Sequence, residues 1–125
     1  MGLTTLKTFN RAKVELVLNA DMPTIIVSAL NNYIPMEEFK SVFNYIGEET
    51  QKRNIQKLIF DKTKLTIFHQ PSMEWYFVQW KEEMFLKGLT VHRKILPNDN
   101  VFIQSVKIGR KSIEEKYPDG RYKLM

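Results

Sequence analysis

The sequence predicts an α/β fold with a mixed four-stranded sheet, opened by an N-terminal β-hairpin and completed by three helices in the order β-β-α-β-α-β-α. Two adjacent runs near the N-terminus, one alternating and one β-branched, point to the hairpin. Further along, short apolar runs take turns with longer stretches whose apolar residues recur every three or four positions, the pattern of helices packed on a sheet.

Val14 to Ala20 (VELVLNA) alternates apolar and polar residues, and Thr24 to Leu30 (TIIVSAL) follows the break Asp21-Met22-Pro23 as the second strand. Pro35 suits the first turn of a helix, and Glu37 and Glu38 complement its positive end. Phe39, Val42, Phe43 and Ile46 form one buried stripe running to about Lys52, with Gly47 as a weak point in the middle. Leu58-Ile59-Phe60, ending at Asp61, is a short apolar run expected to be a central strand covered on both faces. A polar connection leads to Gln70-Pro71-Ser72, which starts the second helix with proline in its first turn or Ser72 as N-cap, and Gly88 stops it. Leu89 to Leu96 (LTVHRKIL) is the fourth strand, and Pro97-Asn98-Asp99 opens a last helix with Phe102, Val106, Gly109 and Ile113 on one side. Gly109 there points to close helix-to-sheet packing. Pro118-Asp119-Gly120 reads as a turn.

At 125 residues and 43% hydrophobic content the chain is long enough for one domain with a real core, here about residues 14–113, with 1–13 and 117–125 as loose termini. The absence of cysteine excludes disulfides, thiolate metal sites and a cysteine nucleophile, and two histidines are too few for a structural metal centre. No cofactor or metal is expected. No run reaches the roughly 18 apolar residues of a membrane span, and residues 1–13 lack a signal peptide's apolar core, so a cytoplasmic protein of bacterial type is expected.

The net charge of +5 resides in the C-terminal third: Lys87, Arg93, Lys94, Lys107, Arg110 and Lys111 face only Asp99 between Lys87 and Ser112. Such a surface attracts phosphate, anionic lipid or an acidic partner, or is simply solvated. Nucleic acid is disfavoured, since no zinc finger or aromatic RNA-binding signature accompanies the charge.

In open α/β sheets ligands bind beyond the carboxyl ends of parallel strands, which gathers Asp61, Lys62, the His69-Gln70-Pro71-Ser72 turn and Pro97-Asn98-Asp99 at one edge, with His92 further away inside its strand. Asp61, His69, Ser72 and Asn98 are therefore the candidate ligand or phosphate contacts. Three of them also have a local role open to them: Ser72 as a helix cap, Asp61 as a turn cap, His69 as a loop ring packed on a neighbour. No HExxH, GxSxG or P-loop pattern occurs, so no catalytic residue is assigned and an enzyme is not expected.

On the second helix, steps of about 100° place Met73, Tyr76, Phe77, Trp80 and Met84 on the core side. Trp75, Val78, Phe85 and Leu86 fall opposite, a surplus apolar stripe to be covered by the neighbouring helix, a second copy, another protein or a lipid-like ligand.

The order of elements, with LIFDKTKLTIFHQPSMEW at the third strand and second helix and VHRKILPND at the fourth strand, resembles the anti-sigma-factor-antagonist (STAS) family, and most closely its small STAS/Sec14-like bacterial branch. The resemblance spans roughly Val14 to Ile113. It implies a signalling role, and in signalling members a kinase phosphorylates a serine at the start of the helix that follows the third strand. Ser72 is the residue at that place, with His69-Gln70-Pro71 before it and Met73 after it. The Sec14-like side implies a lipid or other apolar ligand.

Taken together, the expectation is a non-enzymatic regulatory or interaction module that binds a protein partner, or its own copy as a homodimer, through the second helix and the preceding loop. The alternative is a carrier or sensor of a lipid-like or small anionic ligand.

Overall fold

A computed structural model describes residues 2–67 and 69–118. Five strands, β1 (Leu3–Thr8), β2 (Ala12–Val17), β3 (Thr24–Ala29), β4 (Lys57–Asp61) and β5 (Val91–Ile95), form one sheet in the order β1-β2-β3-β4-β5. The first two pairings are antiparallel and the last two parallel. Helix α1 (Met36–Arg53) joins β3 to β4. Helices α2 (Gln70–Trp75) and α3 (Lys81–Leu86), continuous through a π-helical turn at Tyr76–Trp80, join β4 to β5, and α4 (Asn100–Lys116) follows β5.

The sheet thus has five strands where four were expected. The additional strand, β1, lies in the N-terminal stretch read as loose. Its threonines favour extended backbone, but with only Leu3 and Leu6 apolar it carries almost no core-facing signal. It pairs with β2 on one side only, with Leu6 half-buried against the core, and its register breaks between Thr5 and Lys7, as befits an edge strand. The expected hairpin is β2–β3, paired Val14 to Val27. The turn at Asp119-Gly120 and the tail beyond it lie outside the described residues.

Register places residues in two rows on the helix-covered face: Val14, Val27, Phe60 and Lys94, then Leu16, Ile25, Leu58 and His92. The opposite face carries Glu15, Ile26, Ile59 and Arg93, of which the two isoleucines are only half-buried. β4 is therefore covered on one face, not both, because successive adjacent parallel strands keep their helices on the same side. Among the described residues no helix is long and apolar enough to cross a membrane.

The predicted stripes are buried: Phe39, Val42, Phe43 and Ile46 on α1, Met73, Tyr76, Phe77, Trp80 and Met84 on the second helical run, and Phe102, Val106, Gly109 and Ile113 on α4. Phe43 stands at the centre, with ring centroids 4.6 Å from Phe39, 5.3 Å from Phe60, 5.1 Å from Tyr76 and 5.0 Å from Trp80. Aromatic pairs of this kind add about 0.5–1.5 kcal/mol each beyond their buried area. The Trp80 indole N–H donates to the Phe43 carbonyl at 2.8 Å, tying the two helices together. Gly47 is buried where they meet: a Cβ there would stand 3.4 Å from the Met84 side chain.

Candidate functional site

Strand alternation carries on one residue past β4. Leu58 and Phe60 point to the covered face, Ile59 and Asp61 away, and Lys62 back under the helices, its amide extending the ladder by donating to the Ile95 carbonyl at 2.8 Å. Lys62 is consequently 3% exposed. A cavity of about 100 Å³ opens beside it, between the β4 and β5 ends, the second helical run and α4. Its inward-facing cations are Lys62, Lys81, Lys94 and Arg110; Phe60, Tyr76, Phe77 and His92 complete the wall with the Arg93 segment of β5, whose side chain starts from the other face, and among the described residues no Asp or Glu lines it.

Lys81, 4% exposed, comes from the first turn of α3. Uniform steps of about 100° leave it roughly 80° from Met73, at the margin of the buried arc. The π turn, in which the Lys81 amide donates to the Tyr76 carbonyl five residues back, changes that phase and brings it inward. Lys94 and His92 descend from the two covered rows of β5. Arg110 reaches in from α4, whose N-terminus is capped by Asp99: its Oδ1 accepts from the Val101 amide at 2.9 Å and the Phe102 amide at 3.2 Å.

Among the described residues neither Lys62 nor Lys81 has a carboxylate within ion-pair distance. Lys62 Nζ lies 3.7 Å from the Met73 sulfur, a weak acceptor, and 4.9 Å from the Phe60 ring centre. Lys81 Nζ is 5.1 Å and the Arg110 guanidinium 4.6 Å from the Phe77 ring centre, so one ring carries two cations. Arg110 is also paired with Glu114 at 3.3 Å, toward solvent.

These surroundings disfavour positive charge. Burial first, then Lys94, Lys81 and Arg110, lowers the Lys62 pKa to about 7. Burial, with Arg110 and Lys94, lowers Lys81 to about 8, and Lys94 is lowered by burial and Arg110. His92 is lowered to about 4, chiefly by burial and Lys81. It is neutral: Nε2–H donates to the Leu89 carbonyl at 3.1 Å, leaving Nδ1 to accept from the Tyr76 hydroxyl at 3.4 Å. Burial raises the Tyr76 pKa, so its hydroxyl stays protonated.

The four residues singled out from sequence lie elsewhere. Asp61 points to the uncovered face, and its Oδ1 accepts from the Thr63 amide at 2.9 Å. His69, not Ser72, is the N-cap of α2, its Nδ1 accepting from the Ser72 amide at 3.3 Å. Ser72 Oγ sits 2.7 Å from that nitrogen and 3.1 Å from the Met36 sulfur, and the residue is 1% exposed. Asn98 is exposed in the loop before α4. Only His69 and Ser72 are thus in direct contact.

On the far side of the second helical run, Trp75 is half-buried, edge-on to Phe39 at 6.1 Å with Lys40 Nζ 5.7 Å from its ring centre. Val78 and Phe85 are half-buried, and Leu86 is 67% exposed. The neighbouring helix α1 therefore covers part of the surplus stripe. Lys81 gave no sign in sequence beyond its position four residues after Phe77. Lys62, Lys94 and Arg110 were visible as a strand-end residue and as members of the basic third, without any sign that they converge.

Comparison with protein-family models, curated proteins and solved structures finds no match to this chain.

Proposed function

We propose that the protein is a regulatory module whose ligand is a small anion, held by Lys62, Lys81, Lys94 and Arg110. The observation that carries this reading is a cavity into which four cations face with no carboxylate among the described residues, two of them lysines buried without a counter-ion among those residues. Burying a charge costs several kcal/mol unless it is paired, and breaking a buried pair costs about 3–5 kcal/mol, so a fold that keeps such groups together lacks their partner. An oxyanion is that partner. The cavity has space for several waters or one small acid, not for a nucleotide or an acyl chain.

The test is thermal unfolding of the protein with phosphate, acetate and pyruvate against sodium chloride at matched ionic strength. A stabilisation specific to one of these anions, lost in Lys81→Met and Arg110→Gln, is expected. An equal response to chloride would remove the reading.

A second reading is docking of a protein partner or second copy through the second helix. It is favoured by the open groove of about 270 Å³ beside Met36, Lys40, Trp75, Val78 and Tyr117, and by exposed Leu86. Sedimentation of wild type and Trp75→Ser distinguishes it, since only self-association predicts a concentration-dependent mass that the variant loses. The order β-β-α-β-α-β-α that follows β1 supports the resemblance to STAS-like regulatory domains.

A further inference from the structure

We propose that Lys62 captures its ligand covalently, as a reversible imine with a small 2-oxo acid whose carboxylate is held by the neighbouring cations. This rests on the anion-binding reading and names the class of anion.

A lysine needed only for charge would serve best at the rim, open to solvent, as Lys94 is. Lys62 instead sits at the inner wall, almost closed to solvent, with Nζ between the Phe60 ring and the thioether of Met73. Neither group holds a proton on the amine as a carboxylate would. The cations around it, Lys81, Lys94 and Arg110, act in two ways at once: they disfavour the ammonium form, and they offer the acid's carboxylate a place beside the amine. An apolar pocket and an adjacent cation are each ways in which an imine-forming lysine is activated. Because the cations adjoin the reacting nitrogen, the anionic group of the ligand must adjoin its carbonyl, which selects a 2-oxo acid over a long-chain keto acid. The cavity volume, about 100 Å³, limits it to a few carbons.

The chemistry balances without a co-reactant. The lone pair of neutral Nζ adds to the carbonyl carbon, the C=O π pair takes one of the two amine protons, and a carbinolamine forms. Its hydroxyl leaves as water with the second amine proton, while the nitrogen's lone pair closes the C=N bond. One amine and one carbonyl become one imine and one water, and nothing is oxidised or reduced. The Tyr76 hydroxyl, its hydrogen directed to His92, is on the same wall, and its oxygen can accept a hydrogen bond from the carbinolamine hydroxyl.

The experiment uses the full chain with pyruvate and sodium cyanoborohydride at pH 7, read by intact mass and peptide mapping. One reduced adduct at Lys62 is expected, forming at least about tenfold faster than at exposed Lys52, Lys107 or Lys111, because a lower pKa leaves more neutral amine. Lys62→Arg keeps the charge and should lose the adduct; Lys62→Met, checked for native circular dichroism, is the second control. Thermal stabilisation by pyruvate with no excess labelling at Lys62 would overturn the imine and leave anion binding standing. Labelling spread evenly over surface lysines overturns the imine as well. Neither stabilisation nor labelling would overturn both readings.

Discussion

The covered face of the sheet changes character within a single strand spacing of about 4.8 Å. From β2 through β4 its rows are Val14, Val27, Phe60 and Leu16, Ile25, Leu58, an apolar surface for Phe43; on β5 the same rows end in Lys94 and His92. The two halves lie under the same helices. One obeys the rule that inward positions are apolar, and the other breaks it with four inward-facing basic groups, Lys62, Lys81, His92 and Lys94. Departures from local consistency in an otherwise consistent fold mark positions retained for something other than stability.

If that contrast is sound, substitutions in the two halves should move stability in opposite directions. Phe43→Ala, in the dry half, is expected to cost about 3–5 kcal/mol in urea unfolding, since it removes a ring in contact with four others. A loss under about 1 kcal/mol would mean that the aromatic cluster does not hold the fold together.

Lys62→Met should do the reverse, raising stability at pH 6 by about 1–3 kcal/mol while abolishing the response to anions. A destabilised Lys62→Met would assign this lysine to the core and erase the distinction between the halves.

The pH profile sharpens the same point. Lys62 has a folded pKa of about 7 against an ordinary 10.5, and Lys81 about 8, so below these values the fold must carry ammonium groups that the unfolded chain accommodates freely. Stability should therefore rise with pH, from about 7 toward 9, as the amines lose their protons while the unfolded chain keeps them. His92, lowered to about 4, adds a decline as pH falls from 6.5 to 4, because the unfolded chain takes up the proton first. Urea midpoints across this range should show the slope, and Lys62→Met should flatten its alkaline part. A flat wild-type profile would indicate well-hydrated lysines.

The smallest effect concerns how α4 is held. Asp99→Ala removes the cap that accepts from the Val101 and Phe102 amides and should cost about 1 kcal/mol. Anion binding should persist, because Phe102, Val106 and Ile113 still seat the helix and with it Arg110. Loss of binding without loss of stability would show that the cap, not the core, sets the position of Arg110.

Periodicity made the hairpin, the parallel units and every buried helical stripe legible, since each depends on apolar residues at regular spacing. β1 was not, because an edge strand exposed on both sides needs backbone pairing and little apolar content. The pocket was legible only in fragments. Alternation through Leu58 and Phe60 already places Lys62 on the inward side, but a lysine after a strand reads as the start of a loop. Lys94 and Arg110 registered as net charge, which carries no information about direction. The turn at Ser72 looked like an anion site because it stands beyond the carboxyl end of a parallel strand at the start of a helix; His69 caps that helix and Ser72 is buried.

The π turn at Tyr76–Trp80 also bears on which changes in chain length the fold tolerates. It accommodates one more residue than an α-helical turn, so omission of exposed Gln79 should close it to regular helix and leave Lys81 and Met84 in place. A single omission at the middle of α1 or α4 has no such reserve. It would rotate the remainder of the helix by about 100° and carry half of a buried stripe into solvent.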